Sequence, residues 1–161
     1  LNPPLPAALV VDDHLALVAA LGALVLPGGV VGTPTTTYAW QLRLSQALVA
    51  ERTTTGALQR LASLAGVTKS EALFRVTRPD PRLLDVVDPR AFVWDVASHR
   101  VAHSSNQLAA ETIAVARHMG AVVRVVEANS RGHLHDQVVA SGLEFGVWRL
   151  RGVDGGLTPE E

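Results

Sequence analysis

The hydrophobic pattern of the chain turns on one short stretch. Residues 7–15 read AALVVDDHL, five small or apolar positions that run straight into two aspartates and a histidine. A run this short and rich in β-branched valine predicts a strand buried on both faces, over residues 8–12. Residues 14–21 are apolar nearly all round and predict a buried helix, with Asp13 placed to cap it. Residues 25–32 hold one proline and three glycines and read as a loop. A threonine-rich approach at 33–37 leads into a helix over YAWQLRLSQALVAER, where Tyr38, Leu42, Ser45, Leu48 and Val49 recur at helical spacing. Further helices are predicted at 54–64, stopped by Gly66, and at 70–76; the proline-bearing stretch 78–85 reads as a loop.

The second half repeats one theme. Asp88-Pro89 is a helix start, an aspartate cap followed by proline at the first helical position. A helix is therefore expected at 88–99 and a strand at 100–104. The helical pattern of 107–119 ends at Gly120 and is followed by the β-branched run AVVRVV, 121–126. A strand, a helix and a second strand make a parallel crossover unit. A shorter helix at 133–140, a stop at Gly142 and a last strand at 144–150 add one more unit. Both units place Ser or Asn just after a strand: Ser104, Ser105 and Asn106 in one, Asn129 and Ser130 in the other. The predicted architecture is a three-layer α/β/α sandwich with a mainly parallel central sheet and an extra C-terminal helix–strand unit. Residues 1–6 are expected as an extended leader, 7–150 as one domain and 151–161 as a flexible polar tail.

Composition narrows the class. Apolar residues make up 48% of the 161 positions and charged residues 18%, which favours a packed globule over a disordered chain. The net charge of −1 argues against a uniformly basic nucleic-acid coat, although thirteen of the fourteen cationic side chains are arginine, the residue suited to bidentate phosphate contacts. Cysteine is absent, which removes disulfides, thiolate catalysis and Cys-based zinc sites and fits a cytoplasmic setting. No run is long enough to span a bilayer, and no signal-peptide pattern opens the sequence, so no membrane partner is expected. The chain has no HExxH, phosphate-loop or GxSxG motif.

The remaining candidate chemistry is acidic. Asp12 ends the buried strand at the carboxyl edge of a parallel sheet, where ligands and catalytic groups collect. Asp88 and Asn106 are expected near the same edge; each is also an ordinary helix cap. Ser104 and Ser105 either hydrogen-bond a phosphate or cap the following helix. The histidines of His133-Leu134-His135-Asp136 are read as a surface cluster, and the three tryptophans as core.

The order of these features resembles the PIN-domain family of metal-dependent ribonucleases, which includes bacterial toxins. Three matches carry it: LVVDDHLALVAAL, a strand ending in aspartate and followed by an apolar helix; DPRAFVWDVASHR leading into VAHSSN, with Asp88 as the family's helix-opening aspartate and Ser104 and Asn106 at the places of its Thr-x-Asn or Thr-x-Asp strand end; and LAAETIAVARHMGAVVRVV, the closing helix, glycine and strand. The match covers about residues 7–127. It implies a Mg²⁺- or Mn²⁺-dependent endoribonuclease acting on RNA, with Asp12, Asp88 and Glu51 as catalytic carboxylates and Asp12, Asp88 and Asn106 as metal ligands. Ser104, Ser105 and Asn106 would meet the substrate. Such ions take oxygen ligands, keep several waters and activate one of them. Glu51 stands at the distance of the family's second acid, and Glu71 is the poorer choice. Asn106 cannot supply a charge, and the chain runs on past the family's last strand. Those departures leave a second reading: a catalytically impaired PIN-like module that binds RNA or a protein, such as an inhibitor or antitoxin. A homo-oligomer built through the C-terminal unit is a third.

Overall fold

The computed structural model describes residues 8–28, 32–50 and 56–161. Five short strands form one parallel sheet: β1 (Leu9–Val11), β2 (Thr35–Thr37), β3 (Asp85–Val87), β4 (Val122–Val125) and β5 (Phe145–Val147). Their spatial order is β3-β2-β1-β4-β5. The chain walks outward in one direction from β1 to β3, then returns to pair β4 against the other side of β1. The place where the direction reverses lies between β1 and β4.

Alternation along β1 sets the three layers. Leu9 and Val11 face one core with helices α1 (Asp13–Ala20), α2 (Tyr38–Ala50), α3 (Ala57–Leu64) and α4 (Lys69–Thr77). Val10 faces a second core, packed by α5 (Val93–His103), α6 (Gln107–Met119) and α7 (His133–Ala140), with Trp40 of α2 added. Both faces of β1 are thus covered, which is why its sequence is continuously apolar rather than alternating. Seven of the eight α1 residues are buried, as its all-round apolar pattern requires. Gly66, Gly120 and Gly142, expected as helix stops, all have positive φ.

Several sequence expectations change. The threonines at 33–37 do not merely approach a helix: Thr35–Thr37 is an interior strand, buried throughout. A polar strand can sit there because Thr36 Oγ1 donates to the Val11 carbonyl (2.9 Å) and Thr37 Oγ1 accepts from Trp40 N (3.3 Å). The loop expected at 78–85 gives way at Asp85 to β3. No strand forms at 100–104. A 3-10 turn at Pro89–Phe92 runs into α5, which continues to His103, and Ser104 closes it in the left-handed region at φ 50°. The reason is periodicity. Phe92, Val96 and His99 are the buried positions, whereas Val101, the second residue of the expected strand, is 87% exposed. The crossover from β3 to β4 is therefore a pair of helices.

The last expected strand breaks at Trp148. Residues before it join the sheet as β5; residues after it start β6 (Arg149–Val153), which pairs antiparallel with β7 (Gly156–Glu160). The stretch expected as a flexible tail is thus a hairpin, with Leu157 buried in the first core. Arg124 of β4 lies beneath the sheet's β5 edge, ion-paired to Glu144 at 2.5 Å and set over the Trp148 ring at 5.8 Å. Its side chain explains Gly146: a Cβ there would stand 2.9 Å from the guanidinium carbon.

Candidate functional site

Asp12 follows β1 at the reversal point between β1 and β4, the place where open parallel sheets receive ligands. Its side chain is fully buried and is the N-cap of α1, taking the role expected of Asp13. Oδ1 accepts from Leu15 N (3.0 Å), and Oδ2 accepts from Val126 N and Asn129 Nδ2 (2.8 Å each). One carboxylate therefore ties the start of α1 to the end of β4. Burial pushes the Asp12 carboxyl up from its ordinary value, and the Asp13 charge adds to this; the bonds from Asn129, Leu15 and Val126 pull the other way.

Asp13, the first residue of α1, is almost as buried. Its Oδ1 accepts from His14 N (2.9 Å) and Asn129 Nδ2 (2.9 Å) and lies 2.7 Å from His14 Nδ1. Its Oδ2 is 3.5 Å from Arg43 Nε. Arg43, on α2, also donates from Nη2 to Asn129 Oδ1 (3.3 Å) and lies over the Trp40 ring at 5.3 Å. Asn129 is thus the hub, donating to both aspartates and accepting from the arginine. Burial raises the Asp13 carboxyl, but the bond and charge of His14 and the charge of Arg43 outweigh it, so its pKa falls below the ordinary value. For His14, burial is likewise outweighed, by Asp13, and the imidazole pKa rises above 6.5.

The sign of this coupling gives a test. A raised folded-state pKa means that the His14 contribution is complete below pH 6.5 and is lost as pH climbs through the folded value. The lowered Asp13 value means that its contribution is present above 3.8 and is lost as pH falls through the folded value. Urea midpoints of the wild type are expected to fall as pH climbs above 6.5, and those of His14→Gln to stay flat over the same span. Parallel curves for the two proteins would refute the coupling.

The other expected site residues lie elsewhere. Asp88 sits at the same edge of the sheet but at the end of β3, two strands away from β1, or about 10 Å across the sheet. It caps Arg90 N at 3.0 Å, and the Arg90 guanidinium clasps both its oxygens, the closest contact being 2.6 Å. That clasp holds the exposed carboxyl below its ordinary pKa. Asn106 caps α6, accepting from Ala109 N at 2.9 Å, while its own N donates to His133 Nε2 (3.3 Å). Ser104 and Ser105 form the turn between α5 and α6, and the Ser105 carbonyl accepts from Arg100 Nε. Glu51 lies outside the described residues. Glu71 pairs with Arg75 on α4.

The sequence marks Asn129 only as a strand-end residue and does not mark Arg43 at all. The Asn129-Ser130 pair after a strand was visible, but not that the strand before it lies against β1. Arg43 stood in an amphipathic helix with nothing to mark it.

Among the described residues, Asp12, Asp13 and His14 form a group of three ligand-type side chains that could hold a metal ion, with ligand atoms within 4.8 Å of one another. Each carboxylate oxygen of the two aspartates already accepts from, or faces, at least one protein N–H. An ion would enter by displacing donors: Asn129 would have to turn its carbonyl oxygen toward the carboxylates and Arg43 would have to withdraw. Among the same residues, no helix is long and apolar enough to cross a membrane. No family model matches the chain, and no curated protein matches it.

Proposed function

We propose that this chain is a PIN-like domain that binds RNA at the carboxyl edge of its sheet and lacks the carboxylates for self-sufficient hydrolysis. The observation that carries the reading is the Arg43 guanidinium, 3.5 Å from Asp13 Oδ2 and 3.3 Å from Asn129 Oδ1, a cation of the protein itself beside one of the carboxylates that a metal ion would need. The fold supports the resemblance in a shifted register. The helix that leads into a strand beside β1 is α6, opened by Asn106, and β4 is followed by Glu127-Ala128-Asn129. An amide, not a carboxylate, therefore stands at the position that the family fills with its helix-opening acid, and Asn129 stands at the strand-end position, where the family has Asn or Asp. Arginines surround the edge. Arg43 is half-exposed, Arg131 pairs with Glu127 at 3.8 Å, and Arg60 and Arg149 line a hollow with His14, Val126 and Glu127. Guanidinium groups so placed suit a phosphate backbone, and binding through them weakens steeply with salt.

A second reading is favoured by the Asp12–Asp13–His14 group: a Mg²⁺- or Mn²⁺-dependent ribonuclease, including the toxin type, that recruits an ion into these carboxylates. One experiment separates the two. Labelled single-stranded RNA is mixed with the protein in Mn²⁺, and both binding and cleavage are read. Salt-sensitive binding that weakens several-fold in Arg149→Ala, with the RNA left intact, is the expected result. Cleavage abolished by Asp12→Asn would establish the second reading, and the absence of both binding and cleavage would end both.

A further inference from the structure

Asp95, His99 and His103 follow one another at four-residue intervals on α5, so they share one face of that helix on successive turns. With Ser98, Arg117 and His118, they line an open cavity of about 490 Å³ between α5 and α6, on the far side of the molecule's second core from the α1–α4 layer. The His99 and His103 rings lie 4.5 Å apart, inclined by 36°. With metal–nitrogen bonds of about 2.1 Å, two imidazoles on one ion put their ring centres about 4.5 Å apart at a right angle and about 5.2 Å apart in tetrahedral geometry, so the two rings stand close to the spacing that joint ligation needs. His99 is buried and fixed by a second bond: its Nε2 lies 3.2 Å from Gln137 Oε1 on α7. With that amide oxygen as acceptor, Nε2 carries the proton and Nδ1 keeps its lone pair. This is the outer-shell arrangement of metal-bound histidines.

We propose that this cavity is a binding site for a divalent d-block cation of the zinc, nickel or copper class, held by His99 and His103. Imidazole pairs favour these ions over magnesium and calcium. Asp95, one turn before His99, and His118, across the cavity, are side chains of ligand type on its wall; waters fill the remaining positions. Arg117 shares the wall, and its charge opposes the ion, so the expected affinity is micromolar rather than nanomolar. The site uses no residue of the strand-end cluster and stands apart from the RNA reading.

The test is isothermal titration of the untagged chain with Zn²⁺, followed by Co²⁺ absorption. One ion per chain is expected, with affinity unchanged in Asp12→Asn and at least tenfold weaker in His103→Ala. His103 is exposed at the end of α5, so that variant is expected to keep the wild-type circular dichroism spectrum. Three results would each overturn the assignment: no saturable binding, equal affinity in His103→Ala, or loss in Asp12→Asn, which would move the ion to the strand end.

Discussion

Asp12→Ala is expected to destabilise the protein by about 3 kcal/mol, as much as truncating a large core side chain. Truncation strips Leu15 N and Val126 N of their side-chain acceptor and leaves Asn129 with Asp13 alone. Buried donors left without a partner cost about 1–3 kcal/mol each. Part of that loss is offset, because the mutation also removes a desolvated charge next to Asp13. The comparison with Asp12→Asn isolates the two contributions. The amide keeps one acceptor oxygen and the volume but removes the charge, so about half the loss is expected. Urea unfolding of both variants gives the totals, and hydrogen exchange at the Val126 amide reports the local break. An Asp12→Ala variant within 0.5 kcal/mol of wild type would mean that water replaces these bonds at no cost.

The second large effect is expected from Gly156→Ala, outside the Asp12–Asp13–His14 group. Leu157 N donates to the Ala23 carbonyl (2.7 Å), and Val25 N donates to the Leu157 carbonyl (2.8 Å), a bridge that fastens β7 to the segment after α1. This approach is so close that a Cβ on residue 156 would stand 2.1 Å from the Ala23 carbonyl oxygen. Backbone cannot yield as a side-chain end can, and φ at Gly156 is +156°, where side chains are rarely tolerated. Either the bridge breaks or the hairpin lifts, and in both cases Leu157 leaves the first core. Burying a leucine contributes about 1.5–3 kcal/mol, so a loss of about 3 kcal/mol is expected, with fast exchange at the Leu157 and Val25 amides. An unchanged melting temperature would show that the hairpin contributes nothing to the fold.

Much of the fold was legible because several segments state their period clearly. The β1 run, the apolar circumference of α1, and the α6–Gly120–β4 sequence were placed from spacing and stop signals. The failures have physical causes. Thr35–Thr37 reads as polar, yet its hydroxyls bond to a neighbouring carbonyl and to a helix start, which lets it occupy the sheet interior. AFVWDVA, residues 91–97, carries strand-like composition and makes the start of this helix ambiguous, and the strand expected at 100–104 fails because the buried positions recur at helical spacing through His99. Asp12 was found because it ends a buried strand. Asn129 was noticed as a strand-end residue but not placed at the site, since nothing local says that β4 pairs with β1. Asp88 was assigned to the same edge, which is where it lies, but strand order sets it at the rim rather than at the centre.

The reversal of strand order also shapes how the molecule closes. The bonds from Val126 and Asn129 to Asp12 span 114 and 117 residues. Until β4 docks, β1 cannot be enclosed without stranding a carboxylate in oil, so an assembly of β1–β3 and its helices alone gains little from burying its first strand. Loop closure over that distance comes late and slowly. The Asp12 carboxylate therefore acts as a latch between the two halves of the sheet, and a chain refolding from denaturant is expected to acquire native protection in both halves together.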